Sequence, residues 1–377
     1  MIVAAAFAAV ALWAAVLLLP WRPWQIGETL EAGRREGEAD LSDVTALIPA
    51  RNEAATLGTT LDALTVQGRG LKIVVIDDQS TDATRRVAME SGAGDIDVVA
   101  GAPLPNGWSG KLWALEQGRA QADRPLTLLL DADIALAPGT LTALRGKIKS
   151  DNVEFVSLMA APPLRGPWER LLLPAFVFFF RLLYPFRLAN KRGSRMAAAA
   201  GGCILLDTRL LEAIGGFGAL RDALIDDCAL ARLVKRTGAR TWIGLTHSAC
   251  MLRRQRLEDI WNMVARTAYT QLRYSVMWLA LCTLLMILAY AAPVAGLVLA
   301  PPPARIAAAA VAIMMIAAYR PTLRFYGLSS LWALTLPFTA ALYLAMTWHS
   351  AWRYWRGRRS EWKDRVYLRI PQPHARE

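Results

Sequence analysis

Cysteine and histidine are scarce in this chain, with four cysteines and three histidines among 377 residues. They are Cys203, Cys228, Cys250, Cys282, His247, His349 and His374. The cysteines form no Cys-x-x-Cys pair, and the histidines form no ligand cluster with them. Because a structural zinc site needs four such ligands at characteristic spacing, the pattern argues against one and predicts reduced thiols.

A phosphate-binding loop of the nucleoside triphosphatase type is also missing. The pattern Gly-x-x-x-x-Gly-Lys would fit Gly110-Lys111 only with glycine in place of Pro105, and Leu112 occupies the position that requires serine or threonine. The sequence therefore excludes a triphosphatase of this class.

Acidic residues are fewer than basic ones, 31 against 43, which gives a formal net charge of +12. Nucleic-acid binding could explain such a charge, but much of the excess lies beside hydrophobic segments rather than along a soluble domain. We interpret the charge as a signal of membrane orientation and predict no nucleic-acid partner.

Hydrophobic residues make up 55% of the chain and concentrate at its two ends. Residues 2–19 would span about 27 Å as a helix, enough to cross the hydrocarbon core. No cleavage pattern follows, and the residues on the C-terminal side include Arg22, Arg34, Arg35, Trp21 and Trp24. This favours an uncleaved anchor over residues 1–20 and a main domain on the cytoplasmic side of a bacterial inner membrane.

The C-terminal part predicts a membrane region of about three helices over residues 276–349. The apolar stretches cover residues 276–300, 306–319 and 328–348. The prolines at 301–303 and the pair Arg320-Pro321 should separate the three helices. A basic, tryptophan-rich tail follows at 350–377 and suits an anionic cytoplasmic surface. Three full crossings would place this tail outside, so we expect the short middle stretch to be re-entrant or interfacial.

Residues 40–275 alternate strand and helix patterns, which predicts an α/β domain with a mainly parallel central sheet. Predicted strands cover residues 44–49, 72–78, 96–99 and 126–130, and predicted helices cover 53–67, 82–91 and 112–122. Polar groups follow three strands: Arg51-Asn52-Glu53, Asp77-Asp78, and Asp131 with Asp133. Because parallel sheets bind ligands at the carboxyl ends of strands, we expect these groups to converge on one crevice.

Asp131 and Asp133 are separated by one residue at the end of a very apolar strand. Two hard carboxylate oxygens at a strand end invite Mg²⁺ or Mn²⁺, which can bridge to a diphosphate and neutralise the leaving group. The alternative is a polar turn that caps the next helix.

Asp77 and Asp78 end the second strand. One carboxylate can accept hydrogen bonds from a nucleobase or ribose, while Ser80 or Thr81 caps the following helix; alternatively, the whole segment serves the turn. Arg51 and its neighbours can similarly place a guanidinium and backbone N–H groups near a phosphate or base.

Asp226 and Asp227 open a helix that is predicted to continue to Thr237 and end at Gly238. Acids in the first turn are stabilised by the helix dipole, which is one sufficient explanation. The functional alternative makes Asp227 a general base that takes the proton of an acceptor hydroxyl, with Asp226 helping to position it.

Five motifs in this order resemble the family 2 inverting glycosyltransferases of the GT-A fold, over about residues 40–275. They are Pro49-x-Arg51-Asn52-Glu53, Val75-Ile76-Asp77-Asp78-x-Ser80-x-Asp82, Asp131-x-Asp133, Gly215-Gly216-Phe217 and Asp226-Asp227-x-x-Leu230. The resemblance implies a nucleotide diphosphate sugar donor, Mg²⁺ or Mn²⁺ on Asp131 and Asp133, and a base at Asp227. The donor-binding residues that we predict are Pro49, Arg51, Asn52, Glu53, Asp77, Asp78, Lys111, Asp131 and Arg273.

A finer resemblance is to the hopanoid-biosynthesis-associated glycosyltransferases. It is carried by Pro103-Leu104-Pro105-x-Gly107-Trp108-x-Gly110-Lys111 and by the placement of the hydrophobic segments. Carotenoid-modifying relatives have a similar loop. The Gln-x-x-Arg-Trp motif of processive synthases is only approached by Gln271-Leu272-Arg273-Tyr274, which favours single transfer, although Arg273 and Arg266 could still meet the diphosphate.

The segment at 168–192 is rich in phenylalanine and leucine but is interrupted by Pro174, Arg181 and Pro185. It suits an interfacial position where a lipid acceptor would enter, or a buried helix that covers the sheet. The segment thus supports a lipid acceptor, and the resemblance given above implies that this lipid is a hopanoid or a related isoprenoid. Alternatives are a ceramide-type or polyprenyl-phosphate acceptor, or a non-catalytic scaffold for other lipid-biosynthesis enzymes.

Overall fold

The computed structural model describes residues 2–33, 39–92, 94–221, 223–362 and 365–368. Arg34, Arg35 and His374, named above, lie outside these residues. The chain divides into two compact units. One is an α/β unit of Glu28–Pro163 and Leu188–Arg254, and the other is a helical unit of Met1–Gly27, Leu164–Arg187 and Gln255–Glu377.

The α-helices of the described chain are numbered α1 to α14. Their bounds are α1 Ile2–Leu18, α2 Leu57–Thr65, α3 Thr84–Met89, α4 Gly110–Arg119, α5 Thr140–Asp151, α6 Pro167–Leu183, α7 Phe186–Ala189, α8 Arg209–Ala213, α9 Asp226–Arg236, α10 Leu257–Gln271, α11 Val276–Met286, α12 Ala292–Leu299, α13 Pro302–Phe325 and α14 Leu336–Trp355.

The strands are numbered β1 to β10. Their bounds are β1 Val44–Ala50, β2 Lys72–Asp77, β3 Asp95–Ala100, β4 Leu126–Leu130, β5 Ile134–Leu136, β6 Phe155–Ala161, β7 Cys203–Asp207, β8 Thr241–Met251, β9 Arg358–Trp362 and β10 Arg365–Leu368. The last two pair with each other in the helical unit. The other eight form one sheet in the order β3-β2-β1-β4-β7-β6-β8-β5.

The sheet of the α/β unit is mixed, with a parallel part that carries the predicted motifs. Strands β3, β2, β1 and β4 are parallel neighbours, whereas β7 is antiparallel to β4 and to β6. Every residue of β1 is buried, as expected for a central strand that is covered on both faces. The carboxyl ends of β1, β2 and β4 therefore lie at one sheet edge, together with the amino end of β7.

The four predicted strands are confirmed to within about one residue at each end. The predicted helix at 53–67 begins later, at Leu57, because residues 53–56 form a turn in which the N–H groups of Thr56 and Leu57 donate to Glu53 O at 3.0 and 2.9 Å. The sequence predicts that Ser80 or Thr81 caps α3, but this prediction is wrong. Instead, a carboxylate oxygen of Asp82 accepts the Thr84 N–H at 2.9 Å.

The helical unit contains three helical stretches that are long and apolar enough to cross a membrane within the described residues. They are Val276–Leu299, Pro302–Phe325 and Ser330–Trp355. The first joins α11 to α12 through a π-helical turn at Ile287–Ala291. Helix α1 is also apolar but shorter, with 17 residues.

Pro321 does not end a helix, which corrects the sequence prediction. Helix α13 continues through it to Phe325 and is 24 residues long. A proline removes one backbone donor, but buried Tyr319 and Leu323 pack on either side and hold the helix together. We expected a re-entrant middle stretch because the apolar run at 306–319 is short. The observed helix of 24 residues removes that reason.

Helix α6 belongs to the helical unit and is continuous despite Pro174. Its buried face includes Leu172 and Phe178, which belong to one apolar cluster with Tyr319 and Tyr343. The side chain of Arg181 is also buried and donates to the backbone oxygen of Gln25. The segment is therefore a packed helix of its own unit.

Candidate active site

Asp131 directly follows the buried strand β4, at the sheet edge predicted to bind ligands. Its N–H donates to Gly202 O at 3.1 Å, which ties the end of β4 to the start of β7. One of its carboxylate oxygens lies 2.5 Å from Lys111 Nζ. Asp131 is therefore held at the sheet edge as one half of an ion pair.

Lys111 lies in the first turn of α4, whose preceding residue Ser109 accepts the N–H of Leu112 at 3.3 Å. Its ammonium also lies 3.4 Å from Gly201 O. Burial alone would lower the pKa of Lys111, but Asp131 and, more weakly, Asp226 raise it above its usual range. Lys111 therefore stays charged between the acids of β4 and those of α9.

Asp227 is fixed by backbone donors from two directions. One carboxylate oxygen accepts the Gly201 N–H at 3.0 Å, and the other accepts the Cys228 N–H at 2.7 Å. Burial and the neighbouring Asp226 raise its pKa to about 6, against the opposing effect of these N–H groups and Lys111. A carboxylate with this pKa is ionised at neutral pH and basic enough to accept a proton.

These groups share one pocket, whose lining includes Pro49, Lys111, Asp131, Gly201, Asp226 and Asp227. Of the three polar groups that we expected to converge on one crevice, Asp131 lines this pocket, whereas Asp77 lines a different groove. Asp133 lies in the turn between β4 and β5, where its backbone oxygen accepts the Leu252 N–H at 2.8 Å.

Glu116 lies five residues after Lys111 on α4 and hydrogen-bonds to a segment that lines this pocket. A carboxylate oxygen of Glu116 accepts the Phe217 N–H at 2.7 Å, and buried Phe217 lines the pocket. Gly216 has a φ of +71°, and a side chain there would place its Cβ 2.7 Å from the same carboxylate. The Gly215-Gly216-Phe217 motif therefore allows a close approach to α4 that only glycine permits.

A second, wider groove lies at the end of β2. It is lined by residues that include Asp77, Gln79, Ser80, Arg85 and Arg86. Asp77 accepts the Ser80 N–H at 3.1 Å. Asp77 and Asp78 are both buried, with 7% and 1% of their surface exposed, and of the two it is Asp77 that lines this groove.

Arg51, Asn52 and Glu53 link the loops that follow β1 and β2. Arg51 donates to Asp78 O at 2.6 Å, and the side-chain oxygen of Asn52 accepts the Thr81 N–H at 2.9 Å. Glu53 is buried and ion-paired with Arg253. In the structure these three side chains thus make contacts within the protein that stabilise this edge of the sheet.

Sequence reasoning missed Arg253 and Gly201. Arg253 follows β8, some 200 residues from its partner Glu53, and no local pattern connects the two. Gly201 could have been noticed, because the Gly201-Gly202 pair precedes the apolar run of β7. A Cβ on Gly201 would lie 3.3 Å from Lys111 Nζ and 3.4 Å from Asp227 Cβ.

Arg266 and Arg273 belong to the helical unit, where Arg266 lies within α10 and Arg273 lies just after its end. Arg273 has a φ of +52°. Its proposed role toward the donor stays a prediction.

The cysteines form no disulfide within the residues that the structure describes. All four are free thiols. Burial, and next the charge of Asp131, raise the pKa of Cys203 to about 12, and burial also raises that of Cys228. Thiols with such pKa values stay protonated at neutral pH.

Residues 42–269 match the family described as "Glycosyltransferase like family 2", which is more than half of the chain. The chain therefore belongs to this glycosyltransferase family, as the motifs had indicated. Among curated proteins it is 35% identical over 142 residues to a 4,4'-diaponeurosporenoate glycosyltransferase of Staphylococcus haemolyticus. It is 38% identical over 91 residues to the protein of the same name in Staphylococcus aureus.

These alignments cover limited parts of both partners. They span 37% and 24% of this chain, and the same shares of the two relatives. Among solved structures, the mannosyltransferase PcManGT from Pyrobaculum calidifontis, in complex with GDP-Man and Mn²⁺, has a TM-score of 0.56 at 22% identity. The similarity covers 94% of this chain and 98% of that one, and it confirms the GT-A-like fold.

Proposed function

We propose that this protein transfers a sugar from a nucleotide diphosphate sugar to an isoprenoid-type lipid acceptor at a membrane, with inversion at the sugar carbon. The observation that carries the proposal is the meeting of Asp131, Lys111, Asp226 and Asp227 in one pocket at the end of the parallel strands. Family membership supports the reaction class, and the names of the two Staphylococcus relatives support a carotenoid-type acceptor.

The two predicted metal ligands, Asp131 and Asp133, are carboxylates, which suit a hard divalent cation. No group of three histidine, cysteine or acidic side chains within the described residues could hold a metal by itself. Mg²⁺ and Mn²⁺ are commonly bound by one or two carboxylates, with phosphate and water oxygens completing the shell. Asp131 and Asp133 would supply the carboxylates, and the bound ion would supply charge neutralisation for the leaving diphosphate.

Lys111 gives the pocket a second positive charge. Its ammonium is held by Asp131 and stays protonated, so it is available to hydrogen-bond a phosphate oxygen of the donor. The groove at Asp77, with Arg85 and Arg86 beside it, would receive the nucleoside part. The other predicted donor residues, Arg51, Asn52 and Glu53, would act by holding that edge in place.

Asp227 would act as the base. Its two oxygens are oriented by the N–H groups of Gly201 and Cys228, and its raised pKa suits proton removal from a hydroxyl. A hydroxyl acceptor such as a hopanoid alcohol requires this step. A carboxylate acceptor, as the name diaponeurosporenoate denotes, is already ionised at neutral pH and does not.

Replacing Asp227 by Asn tests the proposal and separates these acceptors. With a hydroxyl acceptor we expect kcat to fall by about 10²–10⁴-fold, while binding of the nucleoside diphosphate with Mn²⁺ is retained. Asp151→Asn, which changes a surface acid paired with Lys147 at 2.6 Å, is the matched control. Near-normal kcat of Asp227→Asn on a hydroxyl lipid would reject Asp227 as the base.

Mass analysis of lipids from membranes supplied with labelled nucleotide sugars identifies the acceptor. Hopanoid, carotenoid, ceramide and polyprenyl products differ in mass, so one experiment covers the alternatives. If the folded protein binds no nucleoside diphosphate in the presence of Mn²⁺ or Mg²⁺, the enzyme proposal fails and a scaffold for other lipid enzymes is favoured.

A further inference from the structure

A strongly basic groove, separate from the acidic pocket, lies in the α/β unit. Its volume is about 630 Å³. Its lining contains seven basic side chains and no acidic one: Lys191, Arg192, Arg195, Arg232, Lys235, Arg236 and Arg240. We call it the basic groove.

Two segments build the basic groove and are locked together. The loop at 190–195 forms one side, and the C-terminal half of α9 forms the other. Asn190 exchanges two hydrogen bonds of 2.9 and 2.8 Å with the backbone of Ile243. Lys235 donates to Ala189 O at 2.6 Å and Met196 O at 2.7 Å, which clamps both ends of the loop to α9.

Lys235 therefore has a structural role. The exposed cations of the groove show no such role within the described residues. They are Lys191, Arg192, Arg195, Arg232 and Arg236. Within the described residues none of these five has a carboxylate partner. Other cations of the same unit do: Lys72 pairs with Asp123, Arg145 with Asp43 and Lys147 with Asp151.

The helix dipole explains only part of this charge. Cations near the C-terminus of α9 are favoured by the dipole, which accounts for Lys235 and Arg236. Lys191, Arg192 and Arg195 come from the loop, where no such effect operates, and their mutual repulsion opposes the fold. A concentration of unpaired cations of this kind points to an external anion.

We propose that the basic groove binds the phosphate groups of anionic phospholipids at the membrane surface. The groove is lined without aromatic side chains, on which nucleic-acid bases would stack, and this disfavours RNA. The chain also carries three helices long and apolar enough to cross a bilayer, which would keep it where such lipids are concentrated. Helix α9 rises about 14 Å from Asp227 to Arg236, so a bound headgroup would lie one helix length from the base.

This inference depends on the membrane location proposed above and not on sugar transfer. Lipid binding at the groove can fail while the enzyme is active, and the reverse also holds. The two proposals are therefore tested by different measurements.

Hydrogen exchange of the full-length chain in lipid nanodiscs provides the test. We compare discs of phosphatidylcholine alone with discs that contain about 30% phosphatidylglycerol. Backbone amides of residues 190–196 and 232–240 are expected to exchange about threefold more slowly in the anionic discs. The double variant Arg192→Gln/Arg236→Gln should lose this difference, and Arg192→Lys/Arg236→Lys should keep it.

The matched control is Lys149→Gln/Arg209→Gln, which removes the same charge from exposed positions outside the groove. It should leave the lipid effect intact. Equal exchange in both kinds of disc, or an undiminished effect in Arg192→Gln/Arg236→Gln, would overturn the proposal. Equal or greater protection by inorganic phosphate or by an RNA oligonucleotide in phosphatidylcholine discs would assign the groove to that ligand instead.

Discussion

Helix α9 has acidic residues at its N-terminal end and basic residues at its C-terminal end, and the two sets differ in burial and in hydrogen bonding. Asp227 in the first turn is half-buried and bonded to two backbone N–H groups in a pocket with Lys111. Arg232 and Arg236, further along, are exposed and lack carboxylate partners within the described chain. The helix dipole favours acids at the N-terminus and cations at the C-terminus. The positions of the charges alone therefore do not indicate which end of α9 takes part in a reaction.

The difference lies in how firmly each charge is held. A carboxylate fixed by backbone donors at 2.7 and 3.0 Å is organised before a substrate arrives, as catalysis requires. Exposed arginines on flexible side chains form a diffuse field that added salt screens. We therefore expect ligand binding at the basic groove to weaken more with rising ionic strength than ligand binding at the acidic pocket does.

The largest expected effect is on nucleotide affinity, and it separates the acidic pocket, which Asp131 shares with Asp227, from the basic groove. Asp131→Asn should weaken binding of UDP or GDP in the presence of Mn²⁺ by about 10²-fold or more, because even residues behind the ligands of a metal contribute 10–100-fold. Arg236→Gln should leave this affinity within about twofold, since exposed charges far from a ligand are screened. Titration calorimetry measures both, and similar losses in the two variants would remove the distinction.

A second difference between the two ends is in their response to pH. Burial and Asp226 raise the pKa of Asp227 to about 6, so the protonated, inactive form accumulates as the pH falls through that value. The transfer rate on a hydroxyl acceptor should then fall about tenfold per pH unit below about 6. Arginines do not titrate in this range, so lipid protection of the basic groove should be unchanged. A flat rate profile from pH 7 to 5 would contradict the role of Asp227.

The smallest effect concerns the ion pair inside the acidic pocket. Lys111 Nζ contacts Asp131, which is also the proposed metal ligand, so ammonium and metal compete for one carboxylate. Lys111→Met should strengthen Mn²⁺ binding without nucleotide by about fivefold, since partly exposed ion pairs contribute up to about 1 kcal/mol. Calorimetry with Mn²⁺ alone measures the change, and Lys72→Met, which removes a lysine paired with Asp123, is the control. Unchanged or weaker Mn²⁺ binding would show that Lys111 does not compete with the metal.

The sequence predicted the parts of the fold that depend on local patterns. The alternating and apolar runs identified β1, β2, β3 and β4, and the acids at their ends led to the pocket edge. The sequence could not predict features that depend on contacts between residues far apart in the chain. One such contact is the ion pair of Glu53 with Arg253, which comes from the other end of the unit, and the role of Glu53 toward the donor stays a prediction. Pro321 looked like a helix end, but tertiary packing outweighs the single lost hydrogen bond.

The contact between Glu116 and the Phe217 N–H has a mechanical consequence. It joins α4, which carries Lys111, to the segment that leads into α9, which carries Asp227. This contact therefore ties the position of α4, and with it Lys111, to the backbone that precedes α9. Gly216 has a φ of +71°, so any other residue at this joint would strain the backbone, and its Cβ would also meet the ends of the Glu116 and Arg119 side chains at 2.7 and 3.0 Å.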